Sequence, residues 1–349
     1  MSFFRKSIDE MQAYEPGEQP RPGTRVIKLN TNENPYPPSP RAIEAIHQLD
    51  GETLRRYPDP MSTPAREAAA KIYDVPVDFI MAANGSDEIL AYIARACLEP
   101  RLKMAYPVPT YLLYPVLGRM QDCDCAEVPY NNDFGIPVEK LIKADGAVTI
   151  ICSPNNPDGN TASLRDLEDL AGNLSGLLVV DEAYCDFAEG NAMGLVKRFS
   201  NVIVLRTLSK GYSLAGLRLG FGIAHPDVLK GILKVKDSYN VSAMAIRIGA
   251  AALLDQDYLK ATVSRVLESR KKLAADLAAL GFRVWPSQSN FLFVSPPGGD
   301  AEHVFQSLRK RGILVRHFNR PGIGDKLRIS VGTPDDMLAL ISTLQEILK

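Results

Sequence analysis

Between residues 65 and 232 the chain alternates amphipathic stretches with short, unbroken apolar runs. Residues 67–73, 88–98 and 163–174 repeat their apolar positions every three to four residues, which predicts helices. Residues 148–152, 177–180 and 202–205 are branched and apolar throughout, the pattern of strands covered on both faces. Helices set between buried strands imply a largely parallel sheet. Residues 258–280 then read as one long helix bounded by Gly281. Strand-like 282–285 and 290–294, a helix over 301–311, strands at 313–316 and 327–331 and a closing helix over 334–348 follow. Residues 1–40 are rich in proline and turn formers and predict an arm laid over a surface. The expected fold class is α/β. A large domain over 41–255, with a mostly parallel sheet and helices on both faces, follows the arm. A smaller α+β domain over 256–349 is joined to it by the long helix.

Length supports this division, because 349 residues exceed the size at which single cores stop growing. An apolar fraction of 46% and a charged fraction of 23% are ordinary for a soluble enzyme. A formal net charge of -1 supplies no long-range field for nucleic acid or acidic membranes. The first ten residues lack the apolar core of a signal peptide, and the longest apolar run, 243–254, is broken by Arg247. Five cysteines are few and odd in number for a disulfide framework. Cys123 and Cys125 are one residue apart, which is not zinc-knuckle spacing, so no metal is expected. These features point to a cytoplasmic protein with reduced thiols.

The chemistry gathers where the buried strands end, the place where open α/β sheets bind ligands. The first strand runs into Cys152-Ser-Pro-Asn-Asn-Pro-Asp-Gly159, the second ends at Asp181-Glu-Ala-Tyr184, and the third leads to Ser209 and Lys210. Taken singly, these are a turn, a helix cap, a core aromatic and a surface lysine. Together they offer an amide, a carboxylate, a phenol and an amine. A desolvated lysine forms a Schiff base with a carbonyl substrate or with pyridoxal phosphate. Asn84-Gly-Ser-Asp-Glu88 precedes a helical pattern, and a helix start of this kind binds anions. Plain capping by Ser86 explains the same residues. Ser209 and Arg218 are placed to close around the same phosphate. A weaker hydrolase reading rests on Gly211-Tyr-Ser-Leu-Ala215, which lacks the final glycine of a nucleophile elbow and a paired histidine.

The ordered set Leu29-Asn-Thr-Asn-Glu-Asn-Pro35, Arg56-Tyr-Pro-Asp-Pro60, Asn84 to Glu88, Ser153-Pro-Asn-Asn-Pro157, Asp181 to Tyr184, Thr207-Leu-Ser-Lys210, Ala215-Gly-Leu-Arg218 and Arg328-Ile-Ser-Val-Gly-Thr333 spans nearly the whole chain. It resembles the fold-type I pyridoxal-phosphate aminotransferases, and most closely their histidinol-phosphate branch. The resemblance implies that Lys210 holds pyridoxal 5'-phosphate and shuttles the proton. Asp181 would pair with the ring nitrogen, Asn156 and Tyr184 with the ring hydroxyl, and Tyr111 with the ring face. Gly85, Ser86, Asp87, Ser209 and Arg218 would surround or shape the phosphate site. Tyr57 matches a tyrosine that reaches the partner subunit's phosphate, implying a homodimer with shared active sites. Arg328, Arg316, Tyr14 and Asn34 match substrate-side positions. One departure stands out: Asp158 replaces the usual threonine after Asn156-Pro157 and would add an anion near the substrate mouth. The implied reaction transfers the amino group of a small-molecule donor, histidinol phosphate, to a 2-oxo acid, 2-oxoglutarate. An aromatic amino-acid aminotransferase and a decarboxylase of a phosphorylated amino acid share the same cofactor site. A sensor built on this fold would need a DNA-binding module, and no basic helix-turn-helix pattern precedes Leu29.

Overall fold

A computed structural model describes residues 2–21, 23–131 and 134–349. Its strands are β1 (Ile27–Lys28), β2 (Ile80–Ala83), β3 (Lys103–Val108), β4 (Asp124–Pro129), β5 (Val148–Cys152), β6 (Leu177–Asp181), β7 (Val202–Thr207) and β8 (Gly220–Ala224), followed by β9 (Arg283–Val284), β10 (Phe291–Ser295), β11 (Ile313–Leu314), β12 (Arg316–His317) and β13 (Leu327–Ser330). A seven-stranded sheet runs β2-β8-β7-β6-β5-β3-β4. The strands from β4 to β7 pair in parallel, while β8 runs antiparallel to both neighbours.

The continuous apolar runs follow from cover on both faces. Ile151, Leu178, Val180, Val202 and Val204 enter one core. Their neighbours Ile150, Cys152, Val179, Ile203 and Leu205 enter the other. Successive side chains point to opposite faces, so both faces call for mostly apolar residues, with Thr149 the one polar side chain inside β5. The helices Thr63–Tyr73, Leu164–Asn173 and Ala243–Leu253 cover the first face, and Ser86–Cys97 covers the second.

A four-stranded antiparallel sheet, β12-β13-β10-β9, has its own core of Leu273, Leu277, Leu292, Val294, Leu308, Leu327, Ile329 and Leu340. The long helix Gln256–Ala279 buries Leu273 and Leu277 there. The closing helix Pro334–Ile347 begins with a capping box between Thr333 and Asp336.

Two expectations change. The N-terminal arm is more than a loop, since β1 pairs in parallel with β11 and Leu29 joins the second domain's core. The strand expected over 313–316 is two strands, because the chain leaves β1 after Leu314 and reaches β13 at Arg316.

Candidate active site

The parallel strands deliver their carboxyl ends to one edge. In register, Cys152 lies opposite Asp181 and Asp181 opposite Leu205. Adjacent strands are about 4.8 Å apart, so the three strand-end motifs face one cavity. That cavity is lined by Tyr14, Ser86, Asp87, Tyr111, Asn156, Asp181, Tyr184, Ser209, Lys210, Arg218, Arg316 and Arg328, with Thr31 and Asn32 among further residues.

Lys210 follows β7 and extends its amine into this cavity. Its Nζ donates to the Thr31 carbonyl at 3.1 Å and lies 5.6 Å from the centre of the Tyr184 ring. Burial lowers its pKa to about 8, and the positive charge of Arg328 adds to the effect. Arg218 lowers it as well, less than Arg328 does.

The helix Ser86–Cys97 starts behind Gly85, whose φ of 79° suits glycine. Gly85, not Ser86, is the N-cap, and no side chain caps the helix. Its first-turn N–H groups are therefore not spent on a cap. The Ser209 hydroxyl accepts from Thr207 Oγ1 at 2.9 Å and from Arg218 Nη1 at 3.4 Å. Arg218 Nη2 lies 3.6 Å from Asp87 Oδ2. A Cβ on Gly85 would sit 2.9 Å from Arg218 Nη2, and one on Gly220 would sit 2.6 Å from Ser86 N. Both glycines let strand, helix start and guanidinium converge. A helix N-terminus, a hydroxyl and an arginine together form a cradle for a phosphate.

Asp181 is buried at the end of β6. Its Oδ2 accepts from the Tyr114 hydroxyl at 2.8 Å and its Oδ1 from Ala183 N at 3.2 Å. Burial pushes its pKa up to about 6 against those bonds. The Tyr184 oxygen accepts from Asn32 Nδ2 at 3.0 Å. Asn156 Oδ1 accepts from Arg328 Nη1 at 2.7 Å, and Arg328 Nη2 donates to the Asn30 carbonyl at 2.7 Å. Arg328 Nε is buried and finds no hydrogen-bond partner among the described residues. Arg316 donates to the Glu15 and Pro16 carbonyls at 3.3 and 3.5 Å. The arm held in this way places Tyr14 edge-on to Tyr111, with ring centres 5.7 Å apart.

Asn34 and Asp158 sit elsewhere than expected. Asn34 does not line the cavity: its Nδ2 donates to the Lys210 and Gly211 carbonyls at 3.2 and 3.0 Å, and its Oδ1 accepts from Tyr36 N. It braces the lysine's backbone from behind. Asp158 is not an anion at the mouth, because it is 2% exposed and accepts from Asn155 Nδ2 and from Asn160 N. Tyr57 is 81% exposed and stacks on Tyr239 at 4.5 Å, outside its own chain's cavity. Thr31, Asn32 and Tyr114 were not singled out from the sequence. For Asn32 the available signal was its place in the Leu29 to Pro35 motif.

Among the described residues no group of three or more His, Cys, Asp or Glu side chains could hold a metal ion, and no helix is long and apolar enough to cross a membrane. Residues 24–344 match the family model of aminotransferase class I and II. A histidinol-phosphate aminotransferase of Trichormus variabilis is 53% identical over 100% of this chain and 99% of its own. One from Citrifermentans bemidjiense is 45% identical over 99% of each. The crystal structure of histidinol-phosphate aminotransferase from Sinorhizobium meliloti in complex with pyridoxal-5'-phosphate superposes with a TM-score of 0.91 at 27% identity, covering 100% of this chain and 98% of that one. The cavity at the carboxyl edge of a mostly parallel sheet, with its half-buried lysine and anion cradle, thus lies in a chain that belongs to the class I and II aminotransferases, in their histidinol-phosphate branch.

Proposed function

We propose that the chain transfers the amino group of L-histidinol phosphate to 2-oxoglutarate, giving imidazole-acetol phosphate and L-glutamate, with pyridoxal 5'-phosphate held on Lys210. The observation that carries this reading is the half-buried amine of Lys210, opening into the same cavity at the sheet edge as Asp181 and the anion cradle, with its pKa lowered to about 8. The donor set fits the cofactor. Gly85 keeps open the space beside Arg218 that a Cβ would fill. Ser86 and Asp87 N–H groups, the Ser209 hydroxyl and Arg218 would hold its phosphate, and Tyr111 would cover the ring face.

When bound, pyridoxal phosphate supplies a carbonyl that condenses with amines and a ring that draws electrons from the substrate carbon. The protein orients that chemistry. With its pKa lowered to about 8, Lys210 Nζ takes and returns a proton readily near neutral pH. Asp181, buried and held by two donors, would keep the proton on the ring nitrogen. Arg328 occupies Asn156 Oδ1, which leaves Asn156 Nδ2 to donate. Asn32 occupies the Tyr184 oxygen as an acceptor, which leaves the Tyr184 proton to donate. Both donors would serve the ring hydroxyl oxygen. Arg328 and Arg316, with Tyr14 beside them, would grip the anionic end of the substrate through planar guanidinium groups.

The same proposal includes a homodimer in which Tyr57 serves the partner subunit's site. Its support is the exposure of Tyr57 and Tyr239 as a stacked pair away from their own cavity. Action in the cytoplasm is supported by five free cysteines. The division into an arm (1–40), a large domain (41–255) and a small domain (256–349) is supported by separate cores on the two sheets. The decisive assay follows the absorbance of the bound cofactor as single amino donors are added. L-Histidinol phosphate should convert it fastest, ahead of L-phenylalanine and O-phosphothreonine. A faster reaction with phenylalanine would overturn the substrate assignment, and carbon dioxide release without a keto acid would overturn the reaction class.

A further inference from the structure

Tyr114 lies in the helix Leu113–Met120 and is fully buried. It does not line the cavity, yet it touches two groups that do. Its hydroxyl donates to Asp181 Oδ2 at 2.8 Å. Its ring stands edge-on to Tyr111 at 5.6 Å and 86°. A buried tyrosine hydroxyl needs a partner, but a backbone carbonyl would serve that need as well as a carboxylate. This one is spent on the acid at the end of β6.

We infer that Tyr114 is a positioning residue for the reaction: its hydroxyl holds the Asp181 carboxylate charged and in one orientation, so that Asp181 can carry the positive charge of the cofactor ring. The inference rests on the cofactor reading above. Burial, and then the charge of Asp181, push the Tyr114 hydroxyl well above its ordinary range, so it stays protonated and acts only as a donor. Burial also drives Asp181 toward its neutral form, and the Tyr114 bond is the largest influence opposing that drift. The Asp87 charge favours the neutral form, while the Ala183 N–H opposes it. A neutral acid would hold its own proton and lose its attraction for a cationic ring. Phenylalanine would fill the same space, so packing alone does not account for the oxygen.

The test compares the native protein with Tyr114→Phe, Asp181→Asn and the double variant. The dissociation constant of pyridoxal phosphate is measured for each by equilibrium dialysis, alongside kcat/KM and a thermal melt. A hydrogen bond to a charged group predicts that Tyr114→Phe weakens cofactor binding about tenfold in the native background. In the Asp181→Asn background the same change should have no further effect, because Tyr114 acts through that carboxylate. Equal weakening in both backgrounds would mark Tyr114 as structural and overturn the inference, as would no weakening in either. If Asp181→Asn itself binds cofactor as tightly as the native protein, the assignment of Asp181 falls instead. The melt keeps loss of fold apart from loss of binding, since only the latter disappears in the Asn background.

Discussion

Replacing Lys210 by methionine should make the cofactor-free protein more stable near neutral pH, although it removes the group on which the reaction depends. The methionine keeps the volume of the side chain and discards the charge. Burial lowers the lysine pKa from 10.5 to about 8, so the folded chain holds this proton less tightly than the unfolded one. At about 1.4 kcal/mol per unit, keeping the amine charged costs roughly 3 kcal/mol below the folded pKa. The bond from Nζ to the Thr31 carbonyl, 3.1 Å long, disappears with the substitution. Its loss offsets about 1 kcal/mol, leaving a net gain of roughly 2 kcal/mol. The sign with pH follows from the depressed pKa. Between about 8 and 10.5 the unfolded chain binds more protons, so the stability of the native sequence rises with pH and the gap closes. Urea unfolding of both apoproteins, at one fixed protein concentration and across this range, measures the gap directly. A methionine variant that is less stable near neutral pH, or a gap that widens as pH rises, would refute the account.

Arg328→Lys should lower kcat/KM for the amino donor by roughly 30-fold, since a point charge cannot reproduce the two-pronged guanidinium that also fixes Asn156. Steady-state kinetics with L-histidinol phosphate checks this, and a change of less than about threefold would remove Arg328 from the substrate site. Asp158→Thr should leave the ratio of kcat/KM between histidinol phosphate and phenylalanine within about twofold, because Asp158 is buried in the loop. It should cost about 1–2 kcal/mol of stability through the lost bonds to Asn155 and Asn160, read by thermal melting. Two crippled variants, Lys210→Met and Tyr57→Ala, should complement when unfolded and refolded together. Each mixed dimer then has one site with a native lysine and a native tyrosine, so random pairing returns about a quarter of native activity. Activity no higher than the sum of the separate variants would place Tyr57 outside the partner's site.

What could be read from the sequence depended on how far each contact reached along the chain. Strands β5, β6 and β7 were legible because both faces are covered, so apolar residues dominate each run and polar ones other than Thr149 fall only at the strand ends. Strand β8 was not, because Gly220 in it is required by the approach of Ser86 and carries no strand signal. Strand β4 lies at the sheet edge and mixes Asp124 and Glu127 into its pattern, as an edge strand does. The site divides in the same way. Lys210, Asp181 and the Asn84 to Glu88 helix start announce themselves locally, each being a reactive or turn-forming group at the end of a regular element.

The pairing of Arg328 with Asn156 spans 172 residues, and nothing near either residue foretells it. The resemblance implies a substrate-side place for Asn34, and Asp158 reads as an added anion near the substrate mouth. Each instead satisfies backbone groups beside the cavity, a use that only the folded arrangement displays. Tyr114 is the extreme case. Within an apolar helical pattern an aromatic residue reads as packing, and its ring does pack against Tyr106 and Tyr111. Its one polar atom meets a carboxylate 67 residues away, on a strand from the opposite side of a crossover. Side chains whose apolar body fits the local pattern and whose polar tip serves a distant site are therefore the residues that sequence reading misses. In this chain Tyr114, behind the acid, is of that kind, and its substitution should change cofactor binding without removing any contact to the cofactor.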